Sequence, residues 1–298
     1  MLAIVFCTMT LHAQDTDAAD STGLPGDHFS LEGALELFKK ATSPEDFEKL
    51  LNAEGNNVNN LDLNEDGETD YIRVVDNMDG DVHAVVLQVP VSATESQDVA
   101  VIEIEKQGAD QAILQIVGDE DIFGEQLIVE PFEEEAKSKG RGGPSADYEL
   151  MRVVVNVWAW PSVRFVYAPA YRVWVSPWRW SYYPGFWKPW RPRPWRTFYV
   201  GVRPYRGYYH PVTVHRVVRA HAVYAPRRTS SKVVHTKTTV IKKTPSGKTA
   251  VATQKTTTVK GKNGKVQAQR KTTAVKGKNG KVKAQKSTTK VHRRKGGR

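Results

Sequence analysis

The chain has 298 residues and a net charge of +10, but that charge is divided unequally between its halves. All 33 acidic residues lie at or before Glu149 with only eight Lys or Arg, so residues 1–150 carry −25 and residues 151–298 carry +35. A single cysteine, Cys7, excludes a disulfide framework, and the sequence has no P-loop, Rossmann glycines, HExxH motif or nucleophile elbow. We therefore expect a non-enzymatic protein in which an acidic block is joined to a basic block.

The N-terminus has features of a secretory signal. Residues 2–11 (LAIVFCTMTL) are apolar but too few to span a bilayer, and a polar stretch follows soon after. The pattern predicts a signal peptide over 1–14 and a flexible leader over 15–27, although no Lys or Arg precedes the apolar run; a buried N-terminal strand is the alternative. Export would place the mature protein, without cysteine, in the periplasm, on the outer membrane surface or outside the cell.

Residues 28–135 are predicted to form an acidic α+β domain. Apolar residues at helical spacing indicate a helix in HFSLEGALELFKKA, and Ser43-Pro44 supplies the N-cap and first residue of a second helix. The predicted architecture is two helices on a four-stranded antiparallel meander sheet. Its strands are β-prone runs separated by turn residues, at 71–76, 81–91, 97–106 and 111–118.

The third of these runs alternates two kinds of side chain. The even-numbered residues 100–104 are apolar and share one face, whereas Val101, Glu103 and Glu105 share the other. This alternation predicts a sheet with one packed face and one face in contact with water.

Residues 62–70 (DLNEDGETD) carry oxygen-bearing side chains at alternate positions around a glycine. Ca²⁺ binds six to eight oxygens, and a tight loop with this spacing can wrap the ion. The stretch resembles the calcium loops of EF-hand, dockerin, thrombospondin type 3 and FG-GAP proteins. The ligands that this resemblance implies are the side chains of Asp62, Asn64, Asp66 and Asp70 and the backbone carbonyl of Glu68.

The loop departs from an EF-hand at two points. Arg73 stands at position twelve, where an EF-hand has a bidentate glutamate, and a strand follows in place of a second helix. We therefore expect a Ca²⁺ loop flanked by β-structure, with Glu95 as the nearest source of a further ligand. The alternatives are a polar turn held by side-chain-to-backbone hydrogen bonds, and a site for another metal.

Beyond a linker at 136–146, residues 147–226 are rich in Trp, Tyr, Pro and Arg. Aromatic rings interleaved with cations suit a lipid headgroup region and the stacking of sugars or single-stranded nucleic acid; alternatively, the rings pack among themselves or against the acidic domain. His210, His215 and His221 lie close together but lack the spacing of a standard zinc site. The candidate binding residues are Trp158, Trp160, Trp174, Trp178, Trp180, Trp187, Trp190 and Trp195.

Residues 227–298 form a Lys/Thr-rich tail in which VKGKNGKV occurs twice, at 259–266 and 275–282. Its Asn-Gly pairs indicate type I′ hairpin turns, but like charges oppose packing, so we expect a mostly disordered tail with nascent hairpins. Such a density of cations binds polyanions with little sequence preference, unless the tail is merely solvated. The candidate contacts are Lys260, Lys262, Lys265, Lys276, Lys278 and Lys281.

An acidic α/β head followed by a Trp-Pro-Arg stretch resembles uncharacterised exported proteins of bacterial envelopes. The leading hypothesis is a non-enzymatic envelope or surface protein whose aromatic and basic half binds anionic lipid, lipopolysaccharide, acidic polysaccharide or extracellular nucleic acid, without a transmembrane helix. The basic half is alternatively expected to dock on the acidic half. A nucleic-acid-binding protein that uses its tail is the second hypothesis, and a carboxylate-dependent hydrolase with a cleft pairing two carboxylates is a remote third.

Overall fold

The computed structural model of the chain describes residue 21, residues 24–132 and 154–232, and the backbone of four strands in the tail. The predicted signal peptide, the linker and the turns between the tail strands lie outside the described residues. Within the part of the chain that is described, no helix combines the length and the apolar character needed to cross a membrane.

The described chain contains six α-helices and ten strands. The helices are α1 Leu31–Lys40, α2 Pro44–Leu51, α3 Glu120–Phe123, α4 Pro161–Val166, α5 Trp195–Gly201 and α6 Val218–Tyr224. The strands are β1 Arg73–Asp79, β2 Val82–Pro90, β3 Ser96–Gly108, β4 Gln111–Gly118, β5 Leu127–Pro131, β6 Tyr209–Val212, β7 Val234–Lys243, β8 Ala250–Lys260, β9 Val266–Lys276 and β10 Val282–Val291. Short 3₁₀ turns occur at Pro25–His28, Glu54–Asn56, Arg203–Gly207 and Ala225–Arg227.

Strands β1 to β6 form one antiparallel meander in chain order. The predicted α+β class with an antiparallel sheet is confirmed, but the predicted count of four strands was wrong. Strand β5 follows the short helix α3, and β6 comes from the segment rich in Trp, Pro and Arg. Both added strands are short and contain a proline, so neither shows the alternation by which a strand is recognised in a sequence.

Helices α1 and α2 begin as their sequences predict and cover one face of the sheet. The Ser30 hydroxyl accepts a hydrogen bond from the N–H of Gly33 at 3.0 Å, and the Ser43 hydroxyl accepts one from the N–H of Asp46 at 3.1 Å. These N-caps fix where each helix starts, and so which side chains face the sheet. The core between helices and sheet includes Leu35, Phe38, Phe47, Leu51, Leu87, Ile102, Ile104 and Ile116.

The opposite face of the sheet, which we expected to be wet, is buried. Helix α6 and the residues up to 231 lie over it, and Tyr224 packs with Val86 and Val101. Glu103, predicted to face water, is fully buried. The alternation correctly placed Glu103 and Glu105 on this face of the sheet. It could not show that the face is covered, because the covering segment lies more than a hundred residues away in sequence.

The outer edge of β1 is also covered. Trp174 accepts a hydrogen bond through its backbone carbonyl from the N–H of Asp76 at 2.8 Å, and the N–H of Ser176 donates to the carbonyl of Val74 at 3.0 Å. Residues 174–176 therefore protect an edge that would otherwise be open to pairing with another chain. Of the arrangements considered for the aromatic segment, the structure shows packing against the acidic domain.

Strands β7 to β10 form a second antiparallel sheet, in the order β10-β9-β8-β7. This differs from the mostly disordered tail that we expected. The predicted Asn-Gly turns, Asn263-Gly264 and Asn279-Gly280, fall in the sequence between β8 and β9 and between β9 and β10, outside the described residues. The β-branched residues Thr and Val recur in all four strands and favour extended backbone. We had expected the repulsion between like charges to outweigh this preference.

Candidate functional site

The loop at 62–70 is held by a set of side-chain-to-backbone hydrogen bonds. The Asp62 carboxylate accepts from the N–H groups of Asp66 at 3.1 Å and Gly67 at 3.0 Å. Asn64 accepts from the N–H of Asp66 at 2.8 Å, and Asp66 accepts from the N–H of Glu68 at 2.9 Å. Gly67 has φ +88°, so this turn requires glycine at the position where the motif has it.

Asp70, the last residue of the loop, is hydrogen-bonded back to residues in its first half. Its carboxylate is buried and accepts hydrogen bonds from the N–H of Leu63 and the side-chain amide of Asn64. Burial, together with the negative charges of Asp62 and Asp66, raises the pKa of Asp70 to about 8. Burial also raises the pKa of Asp62. Among the described residues, no Lys, Arg or His forms an ion pair with these three carboxylates.

The loop therefore brings together Asp62, Asn64, Asp66 and Asp70, as its sequence suggested, but Glu95 is not among them. The Glu95 carboxylate accepts a hydrogen bond from the N–H of Lys232 at 3.1 Å and lies 4.0 Å from the Lys232 ammonium nitrogen. Ligands for a cation would come from this single turn and from water. The loop has both the acidic oxygens of a Ca²⁺ site and the internal hydrogen bonds of a polar turn.

Residues 174–208, which we call the belt, run beside this loop. The N–H of Thr69 donates to the carbonyl of Trp190 at 2.8 Å. The Tyr71 ring lies 5.1 Å from the Trp187 ring, centroid to centroid, and the N–H of Arg193 donates to the Asn60 side chain at 2.7 Å. The belt is consequently anchored on the same turn that carries the acidic loop.

The tryptophans predicted as binding residues are packed into the structure more than they line its surface. Trp160 and Trp187 are buried. The other six are half-buried: Trp158, Trp174, Trp178, Trp180, Trp190 and Trp195.

Other aromatic side chains of the belt face solvent, and sequence reasoning missed them. Tyr182, Phe186 and Tyr208 are each more than half exposed. Arginines lie over neighbouring rings: the Arg179 guanidinium carbon is 5.1 Å from the Tyr182 centroid, and that of Arg206 is 3.9 Å from the Tyr199 centroid. The interleaving of rings with cations in the sequence could have identified these residues. The prediction counted only tryptophans and therefore selected the wrong rings.

The tail lysines divide into two groups. Lys260 and Lys276 are the last residues of β8 and β9. The remaining four lie outside the described residues: Lys262, Lys265, Lys278 and Lys281.

Buried carboxylates of the sheet are paired with donors from the C-terminal half. Arg228 contacts Asp119 through two nitrogens, at 2.6 and 2.8 Å, and Asp121 at 2.7 Å. Burial raises the pKa of Asp119 to about 6, although the Arg228 charge opposes that rise. Asp98 accepts from the Tyr224 hydroxyl at 3.1 Å and from the N–H of Thr229 at 2.8 Å. These pairings give the carboxylates a structural role.

A different cluster joins the two halves at the centre of the sheet. Glu103 Oε1 lies 2.7 Å from His221 Nδ1, and Glu103 Oε2 contacts His215 Nε2. The hydrogen bond to Glu103 raises the pKa of His221. His210, in β6, instead packs its ring against Phe132. Sequence analysis grouped the three histidines but could not identify the buried glutamate that two of them share.

Comparisons with protein-family models, with curated proteins and with solved structures find no match to this chain. Function is therefore inferred from the acidic loop, the belt and the buried cluster.

Proposed function

We propose that this is a non-enzymatic, exported envelope or surface protein that binds anionic lipid, lipopolysaccharide or acidic polysaccharide through the belt and the tail. The observation that carries the proposal is the exposed surface of the belt, where aromatic rings and arginines alternate on a folded support. No acidic residue occurs between 150 and 298, so nothing in that part of the sequence offsets these cations.

The chemistry of the belt suits such ligands for two reasons. Guanidinium groups pair with phosphate and carboxylate oxygens through two hydrogen bonds, and flat rings contact sugar faces or enter the headgroup region of a membrane. Rings packed against the domain are already ordered, so binding costs less conformational entropy than it would for a flexible peptide.

Binding to vesicles that contain anionic lipid tests this proposal. We expect the Arg179→Gln/Lys188→Gln/Arg191→Gln variant of the full chain to bind roughly tenfold or more weakly at low salt, since each exposed cation near such a surface contributes about 1 kcal/mol. All three side chains are exposed in the belt. Sedimentation with vesicles, repeated with an acidic polysaccharide as competitor, measures the effect.

The matched control removes three exposed cations from the opposite layer of the molecule, as Arg219→Gln/Arg227→Gln/Lys232→Gln. An equal loss in both variants would contradict recognition by the belt and indicate attraction by net charge alone. Binding of DNA that depends on residues 233–298 and not on the belt would favour the nucleic-acid alternative. Fractionation with N-terminal sequencing tests export, which requires a mature chain that begins near Gln14.

We also propose that the acidic loop binds Ca²⁺ and that the ion stabilises the fold. The supporting observation is the convergence of Asp62, Asp66 and buried Asp70 without a cationic partner among the described residues. An ion there would neutralise the charges of Asp62 and Asp66 and would displace the proton that a pKa of about 8 leaves on Asp70 at neutral pH.

The expected result is a rise in melting temperature in about 5 mM Ca²⁺, above the weak affinity range of extracellular calcium sites. Asp66→Ala should abolish this rise. Glu68→Gln is the matched control, because it removes one charge from the same loop and keeps the backbone carbonyl. Absence of any Ca²⁺-dependent rise in the wild-type chain would leave the loop as a polar turn.

A further inference from the structure

The cluster of Glu103, His215 and His221 has the composition of a metal site. Their three ligand atoms lie within 4.8 Å of one another, and theirs is the only such group of three His, Cys or carboxylate side chains among the described residues. The rings of His215 and His221 meet edge to face, with centroids 4.7 Å apart. Both imidazoles therefore present a nitrogen to the same carboxylate.

Glu103 is fixed by the sheet. It lies at the middle of β3, pairs with Ala84 of β2 and Gln115 of β4, and is completely buried. A carboxylate in such a place needs a positive partner or strong donors, because burial of an unpaired charge costs several kcal/mol. Histidine nitrogens from the covering segment meet that need.

The segment that carries His215 is fixed by Gln115. The Gln115 amide nitrogen donates to the carbonyl of Val214 at 3.0 Å, and its oxygen accepts from the N–H of Arg216 at 2.7 Å. His215 is thus held on both sides by one buried side chain. The adjacent guanidinium of Arg216 is occupied by Glu130 at 3.3 Å.

The segment that carries His221 is fixed by Glu105. Its carboxylate accepts from the N–H groups of Arg219 at 2.7 Å and Ala220 at 3.3 Å, in the first turn of α6. Neighbouring residues of β3 and β4 therefore position both histidines, and the cluster does not depend on a flexible loop. Such outer contacts, which orient the ligands, are what a metal site requires beyond the ligands themselves.

We propose that Glu103, His215 and His221 bind a divalent transition-metal ion, with zinc as the best match. Two imidazoles and one carboxylate are ligands that zinc and its first-row neighbours accept, whereas Ca²⁺ and Mg²⁺ prefer oxygen alone. Each ligand atom would lie about 2.0–2.2 Å from the ion, so the nitrogens withdraw from the carboxylate by less than about 1 Å. The ion takes the place of the hydrogen-bonding proton at each ligating nitrogen. A neutral imidazole keeps that proton by moving it to its other ring nitrogen, and an imidazolium releases it on binding.

The site has a route to solvent through its two histidines. The side chains of His215 and His221 are 19% and 26% exposed, whereas Glu103 is inaccessible. Water that reaches the ion past these two rings would complete a four-coordinate site.

Titration of the full chain with Zn²⁺ and with Co²⁺ tests the inference. We expect one tight equivalent of either ion, a Co²⁺ complex with the intense visible bands of low coordination number, and a Zn²⁺-dependent rise in melting temperature that Ca²⁺ does not reproduce. His215→Gln and His221→Gln should each weaken binding by on the order of 100-fold, and both should change the Co²⁺ spectrum.

Two controls isolate the cluster. His210→Gln removes a histidine of the same segment that lies outside it, and His235→Gln/His292→Gln removes the histidines of the tail; both variants should bind as the wild type does. If a cluster variant fails to fold, imidazole ¹⁵N spectra of the wild-type chain decide, because Zn²⁺ should shift the signals of two of its eight histidines. Binding that is equal in wild type and in the folded cluster variants, or Zn²⁺ that shifts no histidine signal, would overturn the site.

Discussion

Arg228 shows how single residues of the basic half stabilise the acidic half. Its guanidinium group lies on Asp119 and Asp121, and it is the only cation paired with them among the described residues. Asp119 has a raised pKa of about 6, so its contribution to stability is present below its ordinary pKa of 3.8 and is lost as pH rises through about 6. The Arg228 charge limits that loss by favouring the ionised carboxylate.

Arg228→Met should therefore destabilise the protein in a pH-dependent way. At about pH 7.5 the variant leaves a buried carboxylate without its cation, and we expect a loss of roughly 3 kcal/mol in the free energy of unfolding. At about pH 4.5 Asp119 is largely protonated, and the loss should fall to about half or less. Urea unfolding at both pH values measures this. Arg227→Met is the control, because among the described residues the Arg227 guanidinium bonds only the carbonyl of Val223; it should change stability by less than about 0.5 kcal/mol. An equal loss for Arg228→Met at both pH values would contradict the role given to Asp119.

The elements of the acidic half are mostly predictable because their signals are local. Ser30 and Ser43 cap helices within three residues of themselves, and the spacing of residues 62–70 identifies the acidic loop. The covering of the sheet is not local: His215 meets Glu103 across 112 residues. No periodicity in β3 carries information about a segment so distant. The alternation therefore predicted a wet face, and the contact of Glu103 with His215 and His221 was missed with it.

Val101 tests whether the outer face of the sheet is buried in solution. It is 1% exposed and packs with Val86, Val117 and Tyr224 under the covering segment. Val101→Thr keeps the shape but buries a hydroxyl, and we expect a loss of about 1–2 kcal/mol, measured by urea unfolding. Met78→Thr is the control, because Met78 lies in β1 and is 43% exposed. A neutral Val101→Thr would mean that this face is in contact with water.

At the scale of the whole molecule, the acidic and basic halves of the chain meet at an internal interface. Residues 154–232 supply β6, cover the edge of β1 and provide donors to Glu48, Asp98 and Asp119. The Glu48 carboxylate, for example, accepts hydrogen bonds from the hydroxyls of Ser176 and Tyr71 and from the N–H of Val74, each at 2.8 Å. Burial raises the pKa of Glu48. The sequence identified two blocks of opposite charge, but composition does not show whether the positive block faces an outside partner or its own chain.

Two truncations follow from this arrangement and should behave oppositely. A chain that ends at Lys232 keeps every donor to the buried carboxylates that the structure describes, so we expect it to unfold cooperatively within about 4 °C of the full chain, a change below roughly 1–2 kcal/mol. A chain that ends at Phe132 loses β6, the cover of the outer face and the donors that residues 154–232 supply to Glu48, Asp98, Glu103 and Asp119. Because each buried carboxylate left short of donors costs several kcal/mol against a total stability of about 5–15 kcal/mol, this chain should not fold cooperatively. Thermal melts followed by circular dichroism distinguish the two. A cooperative melt of the shorter chain near the temperature of the full chain would show that the acidic half folds alone and that the basic half is free to bind elsewhere.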